Sequence, residues 1–436
     1  MKNLKQILIV FTTLMLLFTF SCSDLVNKNN STIYDETGEY TNYGLPIIII
    51  ETENHTPIVE KKVYIDGQIK VINAPNDFNF DFTKTQIRGR GNSSWSLEKK
   101  PYRIKLDKKQ SMFGSDYQAK SWTLIANHSD KSFIRNKLAY DLSREMDGLI
   151  YSPMAEMVEL YLNGEYQGLY MFCDHNQVNE GRVDIKEPKK SYTGNCEDIG
   201  FFMEWNHIKR VDKTLEGKEW FYVFGSETKV FELKTPDPDD FTDMSPFINY
   251  IKPIIENVDE VILSKNFETI QEVIDIDSFI DYFLIQEFFK NVDVATYSVH
   301  CYKKENDPKL YMGPVWDFDI AAGNADYIDY SPNGFRAQNG NRWFKPLMQT
   351  SEFKAMYISR WNEVYTTILP SFLENIKVLG KKYEAAANHN FEKWDIMGKY
   401  VWPNPDEVVA IDTYNGQINY LNDYLKTRAE WLNAHY

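Results

Sequence analysis

The segment "NVDVATYSVHCYKKENDPKLYMGPVWDFD" (Asn291–Asp319) decides how the chain is read, because the hydrophobic period changes within it. Before it, "DIDSFIDYFLIQEFFKNVD" places Ile276, Phe279, Ile280, Phe283 and Leu284 on one side of a helix. Asp275 and Asp277 near its start read as caps. After it, "VATYSVHCYKK" and "KLYMGPVWDFD" read as two short strands with a polar turn between them. Paired as a hairpin, they return both ends to one edge. Asp293, Ser298 and Asp317 then face a common site, with Asp319 two residues beyond.

Singly, each of these acids reads as a strand end or a cap. Together they form the kit of phosphoryl transfer of the protein-kinase type: an acid near the acceptor hydroxyl, a polar ligand, and a metal-binding Asp after a short hairpin. Mg²⁺ takes oxygen ligands, commonly one or two carboxylates plus substrate phosphates.

Upstream the chain is β-rich. "LPIIIIETEN" reads as a strand, "KKVYIDGQIKVINA" as a hairpin turning at Asp66-Gly67, and "MVELYLNGEYQGLYMFCD" as a hairpin around Asn163-Gly164. Between them "KSFIRNKLAYDLSREMDG" has a helical face of Phe133, Ile134, Leu138 and Leu142, with Gly148 as its C-cap. From Phe344 on, the pattern is mostly helical. A β-rich part followed by a helix-rich part is an α+β chain.

In "IRGRGNSSWSLEKKPYRIKL", Gly89 and Gly91 let backbone approach a ligand, and amides in such a turn bind anions. Arg88 and Arg90 flank them. Along the next strand Arg103 and Lys105 share the face opposite Tyr102, Ile104 and Leu106. With Lys99 and Lys100 this makes a phosphate clamp, although a lone Gly-x-Gly is most often only a turn. His128 and His175 have no ligand-spaced partner and read as loop residues; Glu204 reads as a strand residue able to pair with a cation. No Gly-x-Ser-x-Gly elbow points to a hydrolase triad.

Composition sets limits. The 436 residues carry 63 acidic against 48 basic side chains, a net charge of −15 that opposes non-specific nucleic-acid binding. Aromatic content of 15% suits a large core, and also a surface that meets glycans or peptides. The start, "MKNLKQILIVFTTLMLLFTFSCSD", has Lys2 and Lys5, an apolar run and small residues ending at Cys22. It reads as a secretory signal over 1–22 with a lipoprotein site at Cys22, followed by a tether over 23–44 and one domain over 45–436. Such a chain is lipid-anchored in a bacterial envelope, on the periplasmic face of the outer membrane or the cell surface. Cys173, Cys196 and Cys301 then allow at most one internal disulfide.

Taken in order, "RGRGNSSW", "KKPYRIKL", "WTLIANHSDKSFIRNKLAYDLS", "VELYLNGEYQGLYMF", "FFKNVD" and "MGPVWDFD" resemble the spore-coat-protein-H (CotH) kinase family, from about Leu45 to the C-terminal helices. The resemblance implies an atypical protein-kinase-like, two-lobed fold, with a β-rich N-terminal lobe over about 45–180 and a helix-rich C-terminal lobe over about 181–436. It implies ATP with Mg²⁺ or Mn²⁺, and phosphorylation of Ser or Thr in a protein acceptor. Carried across, Asp317 holds the metal with Asp319, and Asp293 is the catalytic-loop acid. Ser298 stands where such loops often have Asn, and Lys105 pairs the phosphates with Lys100 as its rival. Arg88, Gly89, Arg90, Gly91 and Asn92 cradle the nucleotide, and Asp174 in "LYMFCDHNQV" lies at a hinge over the adenine. "IAAGN" replaces the family's common Gly-Thr-Trp-Gly. The competing expectation is a kinase-fold lipoprotein that only binds glycan or protein.

Overall fold

The computed structural model describes residues 33–34, 40–75 and 78–436. The chain divides into two compact units, 1–44 and 45–436. In the first, the described residues form one short antiparallel ladder, Ile33–Tyr34 with Thr41–Asn42. The segment read as a signal sequence, and Cys22 with it, lies outside the described residues.

The second unit opens with seven strands that close on themselves: β1 Ile47–Thr52, β2 Ile65–Ile72, β3 Phe80–Gly89, β4 Tyr102–Gln110, β5 Ala119–Ile125, β6 Ala155–Leu162 and β7 Glu165–Asp174. Their order is β1-β2-β3-β4-β5-β7-β6, and β6 pairs parallel with β1 (Ile47 opposite Glu159) to complete the barrel. Alternation explains the closure. Ile48, Ile50, Ile69, Val71, Ile87, Ile104, Trp122 and Phe172 fill the interior, while the intervening residues face outward. Closure removes the sheet's free edges.

Asn163-Gly164 does turn the β6–β7 hairpin, with φ of 52° and 78°. Asp66-Gly67 does not turn the chain. Both lie inside β2, where a Cβ on Gly67 would stand 2.4 Å from the Glu51 carbonyl oxygen. This glycine permits close strand approach.

Helix α1 (Arg135–Arg144) lies between β5 and β6. It stops before Gly148, which instead donates its N–H to Asp281 Oδ2 at 2.8 Å.

A second, antiparallel sheet occupies part of the region read as helix-rich: β8 Phe201–His207, β9 Trp220–Tyr222, β10 Lys229–Thr235, β11 Val299–Lys303 and β12 Leu310–Met312, in the order β9-β10-β8-β11-β12. The helices are α2 Ser245–Ser264, α3 Phe267–Val273, α4 Ile276–Phe288, α5 Ser351–Thr367, α6 Leu369–Lys393 and α7 Tyr414–His435. Helix α4 is buried all round from Ser278 to Phe288, and Asp275 caps it by accepting from Ser278 N at 2.9 Å. The architecture is α+β, as expected. No helix among the described residues is long and apolar enough to cross a membrane. Cys173, Cys196 and Cys301 are all free thiols.

Candidate functional site

Helix α4 delivers the chain to a tight turn in which the Asp293 carbonyl accepts from the N–H groups of Thr296 and Tyr297. The β11–β12 hairpin follows, with Cys301 opposite Met312 and Lys303 opposite Leu310. The strand is shorter than the sequence suggested: residues 294–298 belong to the turn. The hairpin nevertheless returns its ends to one edge, and Ser298 Oγ donates to Asp317 Oδ2 at 3.0 Å.

The backbone around Asp317 is held from three sides. Asn291 Nδ2 donates to the Asp317 carbonyl at 3.2 Å, and Phe318 N donates to Asn136 Oδ1 of α1 at 2.6 Å. Arg135, buried and paired with Asp130 at 2.5 Å, donates its Nε–H to the Ala321 carbonyl at 3.1 Å. Asn324 Nδ2 donates to the Asp319 carbonyl at 2.7 Å.

The acids repel one another. Burial, then Asp317, raises the Asp293 carboxyl to about 7. Burial, followed by Asp317, Asp130 and Asp293, raises Asp319 well above the carboxylate range. Close carboxylates that cannot all ionise suit a bound cation. Asp317, Asp319 and the Ser298 hydroxyl are the oxygens able to hold one. Among the described residues no group of three or more His, Cys, Asp or Glu is placed to hold a metal ion. The chemistry expected here draws its remaining ligands from phosphate oxygens.

These acids line a cavity of about 850 Å³ whose opposite wall comes from the barrel. Arg88, Arg90, Gly91, Asn92 and Arg103 lie on that wall. Gly91 has φ of +87°, and a Cβ there would strike Ser94 Oγ at 2.2 Å. Arg90 stacks over Trp316 at 5.7 Å, so the basic turn reaches the residue next to Asp317. Arg103 is depressed by burial and by Arg88 and Arg90, and its buried Nε has no hydrogen-bond partner. A crowded guanidinium group of this kind favours an anion.

Five expected residues stand off the cavity. Lys105 is exposed on the barrel's outer face, its Nζ 5.9 Å from the Tyr64 ring centroid. Lys100 Nζ donates to the Trp95 carbonyl at 2.9 Å. Gly89 is a strand residue opposite Tyr102, where a Cβ would meet the Trp95 ring at 2.4 Å. Asp174 is fully buried; it pairs with Arg182 at 2.5 Å and accepts from Met154 N at 2.9 Å, so it braces the end of β7. Lys99 is also withdrawn, with its Nζ 2.8 Å from Asn390 Oδ1. Both histidines lie in loops, as read; His128 is buried there, and His175 lines the cavity.

Lys234 of β10 was not singled out in the sequence. Its Nζ lies 3.0 Å from Glu204 and 2.6 Å from Glu232. Burial opposes its charge, but the two carboxylates outweigh that and hold the ammonium above its ordinary value. All three line the cavity, with His300 and Arg210. The one available signal was "FELK", which puts Glu232 and Lys234 on one face of a strand.

Residues 87–432 match the sequence model of a family described as CotH kinase protein. Comparison with curated proteins gives no match. The match spans β3 to α7, including the glycine turn, the Asp293 turn and the hairpin acids, and the chain therefore belongs to the CotH kinase family.

Proposed function

We propose that the chain is a metal-dependent protein kinase that transfers the γ-phosphoryl group of ATP to Ser or Thr of a protein acceptor. The reading is carried by one juxtaposition: the arginine-bearing glycine turn and the acids Asp293, Asp317 and Asp319 share a cavity, linked where Arg90 covers Trp316. Arg88, Arg90, Arg103 and the Gly91–Asn92 backbone bind and orient the phosphates. Lys234, in the cavity, replaces Lys105 as the candidate phosphate-pairing cation, with Glu204 and Glu232 fixing its ammonium. Asp317 and Asp319 would hold Mg²⁺ or Mn²⁺, which offsets the charge developing on the transferred group. Asp293, raised to about 7 by burial and Asp317, accepts the proton from the acceptor hydroxyl.

On this reading the barrel is the N-terminal lobe of a two-lobed kinase-like fold. The N-terminal sequence supports export and lipidation at Cys22, hence a place in the cell envelope; loss of lipid labelling in Cys22→Ser checks it. Transfer of labelled phosphate from ATP, compared with Asp317→Ala, tests the activity. Loss of several orders of magnitude is expected, and equal signal from both proteins would refute it. The Ser298–Asp317 hydrogen bond favours a second reading, a weak or inactive kinase that holds glycan or protein, because it occupies one oxygen of the metal ligand. Stabilisation by glycan, with none by nucleotide plus metal, would establish that alternative.

A further inference from the structure

An exposed aromatic pair stands at the acid end of the cavity. Tyr327 and Trp402, 50% and 45% exposed, stack with centroids 6.0 Å apart and planes 7° from parallel. Both line the cavity that holds Asp293 and Asp319. Neither ring is needed to fill a core, and large exposed aromatics beside a site commonly mark where a partner is held.

The pair is wired to the acids. Asn324 Nδ2 grips the Asp319 carbonyl, and Asn404 Nδ2 donates to Asn324 Oδ1 at 2.9 Å and to the Ser129 carbonyl at 2.7 Å. Asp326 N donates to the Pro403 carbonyl at 2.8 Å, joining the segment that carries Tyr327 to the one that carries Trp402. The platform is therefore fixed relative to Asp319.

Its position identifies the occupant. The hydrogen bonds through Asn324 and Asn404 tie the two rings to the Asp319 backbone. In-line transfer requires the acceptor oxygen to approach opposite the leaving oxygen, hence from the side away from the nucleotide. Tyr400 OH and Asp326 Oδ2, neighbours of the rings in sequence, are bonded to each other at 2.8 Å, which leaves the ring faces as the contact surface.

We propose that Tyr327 and Trp402 form the acceptor platform, which seats a proline or large apolar side chain flanking the phosphorylated hydroxyl of an extended protein segment. This rests on the phosphoryl-transfer reading for its direction. Proline rings and apolar side chains pack on flat aromatic surfaces without needing hydrogen bonds.

The test uses full-length Asp293→Asn protein, so that binding is read without turnover. Labelled extended peptides with Pro or Leu beside a Ser are compared, by anisotropy, with peptides carrying Gly there. Tighter binding of the Pro and Leu peptides is expected, weakened about tenfold by added Trp402→Ala or Tyr327→Ala and restored towards parental affinity by Trp402→Phe. Nucleotide-induced thermal stabilisation should be unchanged in these variants. Equal affinity for all peptides, no effect of either alanine, or selective capture of an oligosaccharide instead would each overturn the proposal. Failure of transfer in the unsubstituted protein would sink the kinase reading and with it the acceptor role, while the peptide-binding result, which does not depend on turnover, would stand.

Discussion

Ser298 and Asp317, at the two ends of one hairpin, both hold left-handed backbone, with φ of 55° and 67°, and are joined by a 3.0 Å hydrogen bond. Non-glycine residues in this region store strain, and such strain concentrates at functional sites where surrounding contacts over-determine it. Here the contacts are Asn291, Asn136 and Arg135.

Ser298→Asn therefore relaxes the backbone, since Asn tolerates the left-handed region, and supplies a carbonyl oxygen to a cation. Transfer should reach half-maximum at lower Mn²⁺, with thermal stability unchanged or slightly higher. Ser298→Val, β-branched at positive φ, should lose about 1–3 kcal/mol in denaturant unfolding.

The raised Asp293 carboxyl makes stability depend on pH. Its folded value of about 7 lies above the ordinary Asp range, so the folded state binds the proton more tightly than the unfolded chain. Metal-free stability should fall as pH rises from the ordinary Asp range through about 7, and Asp293→Asn should flatten that slope. Transfer runs the other way, rising through the same interval as the base ionises. Added Mn²⁺ should stabilise the protein more at about pH 8 than at about pH 5, because it compensates charges that acid would neutralise.

Arg103→Ala and Lys105→Ala separate the cavity wall from the outer barrel surface. Loss of Arg103 should weaken nucleotide binding about tenfold or more with little loss of melting temperature, whereas loss of Lys105 should change neither. Calorimetric titration with an ATP analogue reads the difference.

Lys234→Met leaves Glu204 and Glu232 facing each other without their cation. A cost of about 1–3 kcal/mol is expected, below that of a fully buried pair because the side chain retains some exposure. Glu232→Gln, which keeps the Glu204 partner, should cost less. Chemical denaturation measures both, and parallel loss of nucleotide-induced stabilisation would tie the cluster to the site.

Much of the site was legible along the chain because its parts are local. The Asp275 cap, the helix after it, the hairpin and the acids at its ends all lie within Asp275–Asp319, and short-range periodicity and spacing specify them. Along β4, alternation correctly set Arg103 and Lys105 opposite Tyr102, Ile104 and Leu106. It could not say which outward residue would be covered. That depends on where the second sheet sits, and it made Arg103 a wall residue and left Lys105 in solvent.

The sequence by itself determined an α+β chain, the anionic hairpin edge and the cationic glycine turn, because each follows from residues within a few turns or one hairpin of one another. Only the tertiary structure decided that the early strands close into a barrel, that Asp174 is a structural brace, that Lys234 enters the cavity and that Tyr327 meets Trp402. The barrel closure, the Lys234–Glu204 pair and the ring stack depend on residues tens to over a hundred positions apart. The Asp174–Arg182 pair, though only eight apart, joins a strand end to a loop. Burial and partner availability, and no local pattern, choose these neighbours.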